Sequence, residues 1–206
     1  MAERFTERLR RGAAEIWEAQ HQHPFVRGIG DGTLSLERFE FWLRQDCVSL
    51  LEYARLLALA AARSPDLETI TRFAALLKET VETEMSLHRS YAAEFGISRQ
   101  ELEGEVPAPV TRGYTDFLLR VTTKGDFPEL AAALLPCMWA FSEIGQRLAE
   151  QPAPGDERYA RWIAMCGSRE FAELEGGVAI CSISCCKIAG ARPKETRGCV
   201  SHQQPL

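Results

Sequence analysis

The stretch 36-LERFEFWLRQDCVSLLEYARLLALAAAR-63 decides the fold of this chain. Its apolar residues recur every three to four positions, and at 100° per residue they fall within one narrow arc. The members of this arc are Leu36, Phe39, Leu43, Leu50, Ala54 and Leu57. The spacing predicts one long amphipathic helix over Leu36–Arg63, with Ser35 as its N-cap. A helix with a single apolar face needs partner helices that cover it.

The same periodicity recurs along most of the remaining chain. It predicts further helices over Glu3–His21, Leu67–Phe95, Pro109–Thr123, Pro128–Glu150 and Glu157–Leu174. Asp66 suits the N-cap of the helix that begins at Leu67, and Gly96 suits the C-cap at its end. No segment alternates between apolar and polar residues with a period of two, the pattern of a β-strand. The predicted fold class is therefore an all-α helical bundle. We expect residues 1–175 to form a single helical domain.

Composition and charge exclude several classes of protein. With 46% hydrophobic and 26% charged residues, the 206-residue chain is neither disordered nor a disulfide scaffold. No apolar run approaches the roughly 18 residues of a membrane span. The net charge of −5 argues against a nucleic-acid partner, which requires basic stripes. The first eleven residues carry charges where a secretory signal needs apolar residues, so a cytoplasmic location is expected.

Residues 176–206 differ from the rest of the chain. They contain four of the seven cysteines and four glycines, but none of the 18 aromatic residues. We therefore expect an atypical, poorly packed C-terminal tail, and the abrupt change in composition suggests an altered reading frame. A zinc site made from Cys181, Cys185, Cys199 and His202 is a minor alternative, because these residues show no C-x-x-C pair.

Polar residues interrupt two of the apolar faces. Asp46 falls inside the apolar arc of Leu36–Arg63, and a buried carboxylate is costly unless it bonds another helix or binds a ligand. Glu84 and His88 lie four residues apart on the inward face of the next helix. This pair is either half of a carboxylate-bridged metal site or a structural hydrogen-bonded pair that ties helices together.

Two further residues join apolar faces in the second half of the chain. Cys137 follows Pro136 on the face of the fifth predicted helix, and Tyr114 lies on the face of the fourth. Taken alone, an inward cysteine is typical of inert core, and an inward tyrosine is typical of core with a satisfied hydroxyl.

Four ordered motifs resemble the TenA/thiaminase II family. They are His23-Pro-Phe-Val-Arg-Gly-Ile-Gly-Asp-Gly-Thr-Leu, Gln45-Asp46, Glu84-Met-Ser-Leu-His88-Arg-Ser-Tyr91 and Leu135-Pro-Cys137-Met-Trp139. The resemblance covers roughly residues 5–174, and four motifs in the same order make coincidence improbable.

This resemblance implies a fold, an assembly and an activity. The fold is the haem oxygenase-like helical bundle, assembled as a homotetramer. The activity is hydrolysis of thiamin or of its aminopyrimidine breakdown products at the exocyclic methylene, which gives hydroxymethylpyrimidine without a cofactor. Carried onto this sequence, Cys137 is the nucleophile, Asp46 anchors the aminopyrimidine and assists the cysteine, and Tyr114 reaches the ring.

The chain departs from the family pattern at several positions. Ser49, Phe141 and Cys166 stand at substrate-binding positions where the family commonly has tyrosine. They offer the ring less aromatic area and fewer hydroxyls. The family also has a C-terminal helix with a glutamate that acts as acid and base, and nothing after Leu174 resembles it.

Two other functions are compatible with this fold. One is a metal-dependent oxygenase that uses Glu84 and His88 as ligands, although the chain offers few further ligands. The other is a non-catalytic protein that binds a pyrimidine. The hydrolase is the leading hypothesis, with a small-molecule pyrimidine and further copies of the chain as its partners.

Overall fold

The computed structural model of the chain describes residues 5–173, and within this range it consists of α-helices without a strand. The helices are α1 Phe5–Gly12, α2 Ala14–His21, α3 Pro24–Gly30, α4 Leu36–Arg63, α5 Leu67–Glu79, α6 Met85–Glu94, α7 Arg99–Glu103, α8 Pro109–Lys124, α9 Phe127–Ala149 and α10 Glu157–Cys166. A π-helical turn, Thr80–Glu84, joins α5 to α6. The predicted all-α class is confirmed.

Local signals fix the ends of the longest helices. The Ser35 hydroxyl accepts a hydrogen bond from the Arg38 amide at 3.4 Å, so α4 begins where its N-cap predicts. The Asp66 carboxylate accepts from the Thr69 amide at 2.8 Å and caps α5 in the same way. Gly96 follows the end of α6 with a φ of 71°, a conformation that favours glycine.

The N-terminal part differs from the sequence-based prediction. The predicted helix Glu3–His21 is divided at Ala13, directly after Gly12, whose missing side chain gives it a low helix propensity. Helix α3 was not predicted. Its start nevertheless carries a recognisable signal, since Pro24 occupies the first helical turn and the His23 imidazole accepts from the Phe25 amide at 3.2 Å.

Two other predicted helices are interrupted. The segment Leu67–Phe95 is helical throughout, but the π-helical turn divides it into α5 and α6. The segment predicted over Glu157–Leu174 breaks after Cys166, and residues 169–173 are helical again. Helix α7 was also missed, because five residues are too few to show a periodic pattern.

The chain forms two compact units. The middle unit comprises Ser35–Phe127, and the terminal unit comprises the chain up to Leu34 together with the chain from Pro128 onward. The single domain over residues 1–175 stays a prediction. The expectations for the tail at 176–206, including its zinc alternative, lie outside the described residues.

Helix α4 is the centre of the middle unit. It packs against α5, α6 and α8. Phe39 of α4 is fully buried and meets the ring of Tyr91 edge-on, with 5.6 Å between ring centroids. Phe73 of α5 makes a similar contact with Phe127 at 5.9 Å. Of the predicted apolar arc of α4, Phe39, Leu43, Ala54 and Leu57 are buried, whereas Leu36 in the first turn is 41% exposed.

Helix α9 runs through the terminal unit without a break at Pro136. Its Trp139 meets Trp17 of α2 edge-on, with 5.6 Å between ring centroids. Its Phe141 meets Trp162 of α10 in the same way at 6.1 Å. The Tyr159 hydroxyl of α10 donates to the Leu34 carbonyl oxygen at 2.7 Å and ties α10 to the end of the N-terminal segment.

No helix among the described residues is both long enough and apolar enough to span a bilayer.

Candidate active site

The middle unit contains a buried ionisable pair between α4 and α6. Asp46 lies on the inward side of α4, as its spacing predicts, and its side chain is 14% exposed. Its Oδ2 atom lies 2.7 Å from His88 Nε2. The carboxylate that the sequence placed on a core face therefore bonds a side chain 42 positions further along the chain.

The His88 ring has hydrogen-bonding partners at both nitrogens. Nδ1 lies 2.9 Å from the Glu84 main-chain carbonyl oxygen, which can only accept, so Nδ1 carries a proton. Burial alone lowers the pKa of His88, but the hydrogen bond and the negative charge of Asp46 outweigh it, and the pKa is raised. This shift favours the protonated ring, which donates from Nε2 to Asp46.

Glu84 does not pair with His88 through its carboxylate. The contact between the two residues is made by the Glu84 carbonyl oxygen, and the carboxyl group accepts no hydrogen bond from any described residue. Burial raises the pKa of this carboxyl to about 7, although the charge on His88 acts in the opposite direction. The expected Glu–His pair is thus a side chain-to-backbone contact.

This arrangement weighs against the metal-dependent alternative. Both His88 nitrogens are engaged by protein groups, so neither offers a lone pair to a cation. Within residues 5–173, His, Cys, Asp and Glu side chains form no group of three that could hold a metal ion.

Two predicted substrate-binding residues also belong to the middle unit. Ser49 lies one turn after Asp46 on α4, and its buried hydroxyl has no hydrogen-bond partner among the described residues. Tyr114 of α8 is half-buried rather than part of the core. A half-buried tyrosine keeps part of its ring accessible to a ligand.

Gln45 has a role that sequence reasoning missed. Its buried amide donates to the Val106 carbonyl at 3.2 Å and accepts from the Ala108 amide at 2.7 Å and the Thr111 hydroxyl at 2.9 Å. These bonds clamp the segment that leads into α8, the helix that carries Tyr114. Pro107 was the sequence signal that could have indicated this role of Gln45. Proline interrupts regular secondary structure, so the backbone groups beside it need side-chain partners.

The terminal unit contains the other three predicted site residues. Cys137 and Phe141 lie one turn apart on α9, and both are half-buried. Cys166, at the end of α10, is 1% exposed. Its backbone packs so closely against α9 that a Cβ atom added to Gly145 would lie 2.4 Å from the Cys166 carbonyl carbon.

Exposure distinguishes the three described cysteines, which are all thiols. Cys47 and Cys166 are buried, whereas Cys137 is partly exposed. Burial, reinforced by the charge of Asp46, raises the pKa of the Cys47 thiol to about 11. A thiol with so high a pKa provides almost no thiolate at neutral pH, so Cys47 is not suited to nucleophilic attack.

The model of the TENA/THI-4/PQQC family matches residues 10–176. The chain belongs to this family. The match ends within two residues of the point at which the motif-based resemblance ends, and it leaves residues 177–206 unmatched.

Two relatives from this family carry the same name. An aminopyrimidine aminohydrolase of Halalkalibacterium halodurans is 45% identical over 171 residues, which cover 82% of this chain and 76% of that protein. An aminopyrimidine aminohydrolase of Bacillus subtilis is 40% identical over 168 residues, 82% of this chain and 71% of that protein. The predicted resemblance to this family is confirmed.

Family members of known structure share the fold. A TenA family transcription regulator from Silicibacter sp. TM1040 superposes with a TM-score of 0.87 and 28% identity, over 96% of this chain and 89% of that one. The all-helical, haem oxygenase-like fold implied by the sequence motifs is therefore the fold of this TENA/THI-4/PQQC family member.

Proposed function

We propose that this protein is an enzyme of thiamin salvage that hydrolyses 4-amino-5-methylpyrimidine derivatives to hydroxymethylpyrimidine. The substrates are thiamin or the aminomethylpyrimidine derived from it. Two relatives named aminopyrimidine aminohydrolase, at 45% and 40% identity, support this assignment.

The observation that carries the proposal is the state of the Asp46 carboxylate. Its Oδ2 atom accepts from His88, whereas Oδ1 accepts no hydrogen bond from any described residue. This carboxylate is only partly buried, with 14% of its side chain exposed, so the lone pairs of Oδ1 are open to a donor on a ligand. The exocyclic amine of an aminopyrimidine supplies such a donor, so Asp46 is suited to anchor this class of ring.

Cys137 is the nucleophile in this proposal. Its thiolate adds to the pyrimidine ring, which expels the amine or thiazole from the methylene carbon. Water then adds to that carbon and the thiolate is released. For the amine substrate, the balance is one water consumed, with ammonia and hydroxymethylpyrimidine formed.

Each of the remaining predicted residues has a part in ring binding in this proposal. Tyr114 and Phe141 are half-buried aromatic residues and supply apolar faces for the ring. Ser49 offers a hydroxyl with no partner among the described residues. Cys166 contributes bulk at the end of α10, since its side chain is almost wholly buried.

Turnover of aminomethylpyrimidine and of thiamin by the purified full-length chain tests the proposal, with hydroxymethylpyrimidine measured by chromatography. Cys137→Ser should reduce turnover by at least about 10²-fold and leave helicity unchanged, because a hydroxyl is a far poorer nucleophile at neutral pH.

Cys47→Ser is the matched control. It makes the same atomic change at a buried thiol whose pKa is about 11, so turnover should stay near that of the wild type. Equal losses in the two variants would remove Cys137 from the mechanism. Absence of product from the wild-type chain with both substrates would refute the proposed function.

We further propose that the protein is a homotetramer located in the cytoplasm. Apolar side chains exposed on the middle unit, among them Phe41, Leu67 and Val106, support self-association, which light scattering measures. A nucleophilic thiol and three described cysteines in the thiol state fit a reducing compartment.

A further inference from the structure

We propose that His88 is a positioning residue that holds the Asp46 carboxylate in its charged form and in one orientation for the pyrimidine. This inference rests on the proposed function, because the ligand it concerns is the aminopyrimidine ring. It assigns a task to a buried histidine that the hydrolytic steps do not use.

The first support is the fixed tautomer of the ring. Because Nδ1 donates to the Glu84 carbonyl oxygen, Nε2 is the only nitrogen that can adjust to Asp46. An imidazolium donates from Nε2 to a carboxylate, whereas a neutral ring would require a protonated Asp46. Only the first arrangement leaves Asp46 as an anion, with Oδ2 accepting from His88 and Oδ1 able to accept from an amine.

The second support is the immobility of the ring. His88 is 2% exposed, and the Trp42 ring packs against it with 5.8 Å between centroids. Trp42 and Asp46 are one turn apart on α4, so one helix supplies both the packing surface and the carboxylate. Rotation of the imidazole would break two hydrogen bonds and this ring contact together.

The third support is the charge around the pair. Asp46 faces His88 from α4, and Glu84 faces it from the π-helical turn. Glu79, at the end of α5, also acts on Glu84. No described Lys or Arg side chain forms an ion pair with Asp46, so His88 is the cation that offsets its charge. Removal of that cation would leave a cluster of carboxyl groups without compensation.

The π-helical turn connects this pair to the fold of the middle unit. It ends at Glu84, the residue whose carbonyl oxygen fixes Nδ1 of His88. The π-helical turn between α5 and α6 therefore lies directly beside the Glu84 carbonyl group, which keeps the proton on Nδ1 of His88. Such turns are frequently found at functional sites.

Two substitutions separate positioning from structural support. In His88→Gln, the amide nitrogen takes the place of Nε2 and can still donate to Asp46. In His88→Asn, the shorter side chain reaches only the Glu84 carbonyl oxygen. Both variants remove the ring and its contact with Trp42, so a merely structural role predicts similar effects in the two.

Affinity for hydroxymethylpyrimidine, measured by titration calorimetry, is the first readout. His88→Asn should weaken binding by about 10- to 100-fold, the effect of losing one hydrogen bond to a charged group. His88→Gln should recover most of this loss near neutral pH. As the pH rises through the raised pKa of His88, affinity should fall in the wild type but not in His88→Gln.

Nitrogen-15 NMR of histidine-labelled protein is the second readout and requires no turnover. Both ring nitrogens of His88 should remain protonated above the ordinary histidine pKa of 6.5. Asp46→Asn should shift this titration to lower pH, because it removes the charge that stabilises the imidazolium.

The outcomes separate this inference from the proposed function. Equal affinities of the Gln and Asn variants, or a neutral His88 at pH 6.5 in the wild type, would overturn the positioning role even if hydrolysis is observed. If the wild type bound no hydroxymethylpyrimidine, the ligand part of the inference and the proposed function would fail together. A wild-type chain that binds the pyrimidine with the predicted variant order, yet shows no turnover, would refute only the hydrolase.

Discussion

Gly145→Ala tests the closest approach between two helices in the terminal unit. A Cβ atom added to Gly145 of α9 would lie 2.4 Å from both the Cys166 carbonyl carbon and the Gly167 nitrogen. Ordinary contacts of such an atom begin at 3.4 Å, so the two backbones would have to separate by about 1 Å. Neither obstacle is the flexible end of a side chain, so the strain cannot be relieved by a change of rotamer.

Two opposing effects decide how much Gly145→Ala changes the free energy of unfolding. Overpacking of a core costs about 1–3 kcal/mol, and a clash of a methyl group with backbone atoms belongs at the upper end of that range. Alanine is favoured over glycine within a helix by about 0.5–1 kcal/mol. The net effect of Gly145→Ala is therefore a loss of about 2 kcal/mol, or roughly 4–8 °C in Tm for a chain of this size.

Gly113→Ala is the matched control. Gly113 is an exposed residue within α8, and a Cβ atom added there would meet nothing within 4 Å. This variant should gain about 0.5–1 kcal/mol, because it keeps the helix-propensity benefit without the clash. Urea unfolding of both variants, followed by circular dichroism, gives the two free energies of unfolding.

A second measurement connects the clash to the proposed site. Phe141 lies one turn before Gly145 and packs edge-on against Trp162 of α10. Separation of the helices should alter the near-ultraviolet signal of Trp162 and weaken binding of hydroxymethylpyrimidine. If Gly145→Ala matched or exceeded the wild type in stability, the reasoning from close approach would be refuted.

Two further substitutions probe the middle unit. Glu84→Gln should leave stability unchanged below pH 4.5 and raise it by roughly 3 kcal/mol above pH 7. The reason is that the wild type gradually loses stability as pH rises from 4.5 to about 7, while a buried carboxyl is forced to ionise. The exposed control Glu82→Gln should not reproduce this change when thermal melts are compared across that range. Gln45→Met should lower the free energy of urea unfolding by about 2–4 kcal/mol, since three hydrogen bonds are lost. It should also weaken pyrimidine binding through Tyr114, whereas Gln146→Met, at an exposed position on α9, should do neither.

A Glu84→Gln variant whose melts follow the wild type at every pH would show that this carboxyl is not held neutral by burial. Equal stabilities of Gln45→Met and Gln146→Met would show that the clamp before α8 contributes nothing.

The sequence determined the fold class and the ends of the long helices, because these depend on local chemistry. A periodic apolar face and an N-cap serine set the start of α4 and its end at Arg63 without reference to any other segment. The inward placement of Asp46 follows from the same periodicity.

Helix interruptions depended on tertiary contacts. The break after Cys166 occurs where the backbones of α9 and α10 approach closely, and no periodic pattern within residues 157–174 records that contact. The π-helical turn at Thr80–Glu84 is likewise hidden in sequence, since a single turn of five residues is too short to establish a period of its own.

The partner of Asp46 was also decided by the tertiary structure. Helical spacing placed Glu84 and His88 on one face, and it suggested that their side chains would pair. In the folded chain the His88 ring instead donates to the Glu84 backbone and reaches across to α4. Sequence spacing shows which residues share a helix face, but only the packing of α6 against α4 determines which atoms meet, because that depends on distances between segments far apart in the chain.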